Sequence, residues 1–287
     1  MLVIRRDGRL QLVTQPDHAA LAGELAQRWG NDRFAPPARG RSLVAAAARH
    51  DDGWATIDGR PAVLALEGRP AHFLEVELTD TVGPYGEGVE GIYADDRYAG
   101  VLATRHWTGL FSSRWGLGDN PPSDHPAAQA VVTAQEQRAA AEARALWGGQ
   151  GRRSAFEAGL WHDYEILQAL DLISLALCLI DLGRPSDPGA AALPVPATLR
   201  ELEQPPGARI VPEVPLGGVV YAEVTLTVVG DGVVSADPYP FDEPEVPARI
   251  RLRTIDDVRH ERPQDAARAY HDAGPVQRPV TIVASGG

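Results

Sequence analysis

The sequence predicts a mainly α fold: a helical bundle with a short N-terminal hairpin and a β-rich C-terminal appendage. Two patterns carry this expectation. Apolar side chains recur at three- and four-residue steps in five stretches between residues 15 and 182, and after residue 190 they alternate between turn signals. A chain of 287 residues with 44% apolar content can bury one large core, or one core plus a smaller unit. The change of pattern divides it into a helical unit, 1–187, and a β-rich unit, 188–287, either packed on the first or separate.

The elements follow in order. Residues 1–14 alternate about Asp7-Gly8 and read as a hairpin or edge strand. Pro16-Asp17 opens a first helix whose stripe of His18, Leu21, Ala22, Leu25 and Trp29 stops at Gly30. Ser42 caps a second, with Leu43, Ala46, Ala47 and His50 inward, ending near Gly53. Residues 55–94, rich in Gly, Pro and acidic side chains without periodicity, read as a long excursion over the helices. Asp95-Asp96 begins a third helix in which Tyr98, Leu102, His106 and Leu110 recur by fours. An Ala-rich fourth spans about 126–147, and a fifth spans about 154–182, with Leu160, Tyr164, Leu167, Asp171, Ser174, Leu175 and Cys178 on one face. Beyond Gly183 a Pro- and Gly-rich stretch leads to VVYAEVTLTVV, ARIRLRTI and PVTIVAS, which read as strands. No internal repeat is visible.

Composition narrows the function. Net charge is −12 and all 27 basic residues are Arg, which disfavours nucleic acid or an anionic membrane as a general partner and excludes Schiff-base chemistry on a lysine. The single Cys178 lies in an apolar run and reads as a core thiol rather than a nucleophile. Charges near the N-terminus stand where a signal peptide needs apolar residues, and the longest apolar run, Leu172 to Ile180, is too short to span a bilayer. A cytoplasmic location is the expectation.

Three His-Asp pairs occur: His50-Asp51, His162-Asp163 and His271-Asp272. Only the first falls on an inward helical face. His162 precedes Asp171 by nine residues, half a turn in angle, so its pair is expected at the surface. His271-Asp272, before Ala-Gly-Pro, reads as a turn. Four helices thus each place a metal-binding residue type inward: His18, His50 with Asp51, His106, and Asp171. A carboxylate between Leu167 and Leu175 is costly to bury unless paired, protonated or bound to a cation.

In this order, His, then His-Asp, then a late Asp in an apolar helix, the chain resembles the HD-domain superfamily of metal-dependent phosphohydrolases. From QPDHAALAGELAQRWG through HDDGW and TRHWTGL to LQALDLISLALC it also looks like an uncharacterised bacterial family, catalogued as a domain of unknown function, over about residues 1–185 and much of the tail. The superfamily resemblance implies an HD-like bundle in which His18, His50, Asp51 and Asp171 bind one divalent ion (Mn, Fe, Mg, Ni or Zn). It makes His106 the ligand of a second ion or a contact to substrate, with His72 and His125 as further candidates for a two-ion site. The implied activity is hydrolysis of a small phosphorylated molecule by metal-activated water. Asp52, beside the ligand pair, is then a general acid or a partner orienting a ligand, with turn capping as the alternative. Arg49 and Arg105 are candidates for local positive potential, and Trp29, Trp54 and Trp107 read as packing walls, the last two able to line a pocket. Two other readings stay open: a di-iron oxygenase, and a non-catalytic metal- or ligand-binding module.

Overall fold

The computed structural model describes residues 1–64, 67–112, 126–186, 193–194 and 208–286. Strands β1 (Leu2–Arg6) and β2 (Arg9–Val13) form a hairpin whose turn holds Asp7 and Gly8 at positive φ. Helix α1 (Gln15–Ala26) starts where the Thr14 hydroxyl accepts the Asp17 amide. Then come α2 (Gly40–Arg49), α3 (Trp54–Gly59), the small hairpin β3 (Val63–Leu64) and β4 (Arg69–Pro70), α4 (Leu78–Asp95), α5 (Arg97–Phe111), α6 (Pro126–Trp147) and α7 (Arg153–Leu179). The C-terminal part holds β5 (Leu193–Pro194), β6 (Arg209–Gly217), β7 (Val220–Gly230), β8 (Val233–Asp237), β9 (Glu245–Asp256), α8 (Pro263–Asp272) and β10 (Val276–Ala284).

One eight-stranded sheet, ordered β1-β2-β9-β10-β8-β7-β6-β5, runs through the molecule. Its neighbours are antiparallel except β8/β10 and β5/β6. The expectation of a mainly α, HD-like bundle is therefore corrected: helix and sheet share the fold, and the N-terminal hairpin belongs to the same sheet as the C-terminal strands. The strands were readable locally, but the β2–β9 pairing joins distant segments and leaves no local signal. The proposed boundary between 187 and 188 lies outside the described residues.

The sheet positions the helices. β9 buries Val246, Ala248, Ile250 and Leu252 in alternation with exposed residues, giving one apolar face. Against the sheet pack α1, on β9, and α7, on β6. Leu21, Leu25, Leu167 and Ile173 thereby share a core with Val224, Leu226, Ile250 and Ile282. On the other side of the hairpin Leu10, Leu12 and Ile255 pack with Tyr270 of α8.

Three local expectations also change. Residues 55–94 hold α3, a hairpin, a 3₁₀ turn and the 18-residue α4 rather than an irregular excursion. Ser42 does not cap α2, which begins at Gly40; its hydroxyl donates to Asp96 instead. His271-Asp272 ends α8 rather than forming a turn. Among the described residues no helix is long and apolar enough to cross a membrane.

Candidate metal centre

Helices α1, α2, α5 and α7 converge so that five of the predicted ligands meet. His18 comes from α1, His50 from the C-cap of α2, His106 from α5 and Asp171 from α7. Asp51 sits in the turn after α2, where hydrogen bonds from Asp52 N to Arg49 O and from Trp54 N to Asp51 O carry the chain into α3. His18 Nε2 lies 3.0 Å from Asp171 Oδ1 and 3.7 Å from Asp51 Oδ2; His50 Nε2 lies 3.3 Å and 3.8 Å from the same two oxygens. The His106 ring centroid is 4.7 Å from that of His50. His18, His50 and Asp51, and likewise His50, His106 and Asp171, each present ligand atoms within 4.8 Å of one another. All five residues are at most 3% exposed, so bulk water does not screen their charges.

The orientation of His50 calls for a proton or a metal ion on its Nε2. Ala47 O, 2.9 Å from Nδ1, can only accept, so Nδ1 carries a proton. A neutral His50 would then aim the lone pair of Nε2 at two carboxylate oxygens. Either a second proton or a metal ion removes that repulsion. Without a metal the proton wins: burial alone would lower the His50 pKa, but Asp51 and Asp171 outweigh it and push it up to about 9. Burial opposes the charged form of Asp171 too, working to raise its pKa, and hydrogen bonding to His18 and His50 overrides it, holding the carboxyl well below the usual range. His106 is pushed down to about 4 by burial and by the charge of His50.

The donor set fits a divalent ion. A metal–ligand bond of about 2.1 Å puts adjacent ligand atoms about 3.0 Å apart in an octahedron and about 3.4 Å apart in a tetrahedron, close to the four separations found here. Two carboxylates balance the charge of one such ion, with the imidazoles neutral.

The remaining predicted residues stand elsewhere. The Asp52 carboxylate, about one-third exposed, accepts from Arg49 Nε at 2.7 Å, and Arg49 Nη1 donates to Asp95 at 2.6 Å. Arg105 holds its guanidinium 5.8 Å from the centre of the Trp161 ring. Trp29 packs on Phe34 and Phe241. His72 caps the 3₁₀ turn Phe73–Glu75, and His125 lies outside the described residues. The His162-Asp163 pair is not at the surface as expected. Asp163 is fully buried and accepts from the amides of Ala38 and Arg39 at the start of α2 and from the Tyr98 hydroxyl.

Two residues of the site escaped the sequence reading. Tyr85 of α4 donates to Asp51 Oδ1 at 2.8 Å, and Gln15 Nε2 donates to Asp51 Oδ2 at 3.3 Å. Tyr85 is held between Trp107, stacked at 5.7 Å, and Trp54, edge-on at 6.1 Å. Its signal was the four-residue step from Thr81 through Tyr85 to Val89.

No curated protein and no solved structure matches the chain. A family model does match, over residues 1–257, and by it the chain belongs to the family described as Protein of unknown function (DUF3891).

Proposed function

We propose that the protein is a metal-dependent hydrolase of small phosphate esters, with a divalent ion held by His18, His50, Asp51 and Asp171. One observation carries the metal: the Nε2 atoms of two buried histidines face two buried carboxylates, at spacings a single ion spans. The order His, His-Asp, Asp, shared with the HD superfamily, directs the reading towards phosphate esters. When bound, such an ion lowers the pKa of a coordinated water from about 15.7 towards neutrality and withdraws charge from a phosphoryl oxygen. His106, neutral at pH 7, is placed to add a ligand or to hydrogen-bond that oxygen. Trp54 and Trp107 are buried against Tyr85, which donates to Asp51, and so close the side of the site that Tyr85 occupies. Asp52 is a partner that fixes the turn through Arg49 in this reading, not a proton donor at the centre.

The closure of the site favours a second reading. Ligands at most 3% exposed are typical of a structural ion, which stabilises the fold without chemistry. Metal analysis of protein purified without chelator, with phosphate release from phosphomonoesters, phosphodiesters and nucleotides, separates the two. The hydrolase predicts a bound ion, metal-dependent release, and loss of both in the doubly substituted His50→Ala, Asp51→Ala protein. Metal without release supports the structural ion. Metal content unchanged by the double substitution removes the site.

A further inference from the structure

Both carboxylate oxygens of Asp51 are engaged. Oδ1 accepts the Tyr85 hydroxyl at 2.8 Å, while Oδ2, which Gln15 Nε2 approaches at 3.3 Å, is the oxygen that faces His18 and His50. The Tyr85 ring cannot swing away easily, since it is 4% exposed and packed between Trp54 and Trp107. From this arrangement, and resting on the metal site proposed above, we infer that Tyr85 is a positioning residue that holds Asp51 as a one-oxygen ligand and restricts the centre to a single ion.

A second ion bridged through Asp51 would have to bind Oδ1, the oxygen that already accepts the Tyr85 hydroxyl. Charge points the same way. Two divalent ions would set four positive charges against the two carboxylates of a site whose ligands are at most 3% exposed, leaving a large uncompensated charge away from water. The place of Tyr85 on α4, in contact with the HDDGW turn, makes that helix part of the centre.

Titration of the metal-free full-length protein with Mn²⁺, followed by electron paramagnetic resonance, tests this. The wild type is expected to saturate at one Mn²⁺ per chain with an uncoupled six-line spectrum. Tyr85→Phe keeps the ring and removes only the hydroxyl; it is expected to bind Mn²⁺ ten- to a hundredfold more weakly, in the range for loss of a partner that orients a ligand, and to alter the spectrum. Uptake of two coupled Mn²⁺ by the wild type overturns the inference without any variant. So does a Tyr85→Phe protein with wild-type affinity and spectrum. A wild type that binds no Mn²⁺ fails earlier, at the metal site itself, and takes the inference with it.

Discussion

His72 is buried like the histidines of the candidate centre, but the charges that act on its ring are the cationic N-terminus and Arg69. Its Nδ1 accepts the Leu74 amide at 3.2 Å, so protonation there would break the cap of the 3₁₀ turn. Burial, with the charges of the N-terminal ammonium and of Arg69 adding to it, pushes its pKa down to about 3. An unfolded histidine titrates near 6.5. Between those values the unfolded chain binds a proton that the folded chain refuses, so this residue lowers stability as pH falls from about 6.5 to about 3, by up to about 1.4 kcal/mol per pH unit. His72→Asn keeps a cap acceptor and removes the titration. Urea unfolding at pH 7, 5.5 and 4 should show the wild type losing stability relative to the variant at each step; parallel curves would rule out a neutral His72. At this scale the sequence was most legible for the candidate ligands. His18, His50, His106 and Asp171 each stood out against the periodicity of its own helix. Asp163 did not: it follows His162, which lies half a turn from Asp171, but its own carboxylate meets the N-terminus of α2 instead of water, and that neighbour comes from distant sequence.

Helix α4 was hidden by its composition. Gly83, Pro84, Gly86, Gly88 and Gly91 are poor helix formers and read as loop, yet Thr81, Tyr85, Val89 and Ile92 form a buried stripe. The glycines answer to packing. A Cβ on Gly88 would lie 2.4 Å from Gly53 N, and one on Gly53 would lie 2.3 Å from Pro84 O, so α4 and the turn after Asp51 meet backbone to backbone. Gly86, on the same helix, has nothing within 4 Å of a built Cβ. The same substitution should therefore have opposite signs at the two positions. Gly86→Ala is expected to stabilise by about 0.5–1 kcal/mol through helix propensity. Gly88→Ala is expected to destabilise by about 1–3 kcal/mol, since backbone has to move to admit the methyl group, and to weaken metal binding by shifting Tyr85 from Asp51. Chemical denaturation of both variants checks this, and equal stabilisation would contradict the contact between α4 and the turn.

At the scale of the whole molecule the helical segments do not close a core by themselves. α1 rests on β9 and α7 on β6, and the hairpin that opens the chain is completed by Leu10 pairing with Ile255 and Leu12 with Arg253. Alternation announced the strands, but register between segments so far apart is decided by which apolar faces remain to be covered once the helices have packed. All five candidate ligands nevertheless lie in 1–187, so a fragment of those residues separates ligand inventory from fold. Without the sheet it leaves the outer faces of α1 and α7 and the β9-facing edge of β2 open to water. His18 and Asp171, the candidate ligands carried by those two helices, should then lose their 3.0 Å contact. The expected fragment unfolds without a cooperative transition, binds a hydrophobic dye and takes up no stoichiometric metal, whereas the full chain does the reverse. A fragment that unfolds cooperatively and binds one ion per chain would mean that the helices alone set the ligand geometry, and that the sheet is added to a centre already formed.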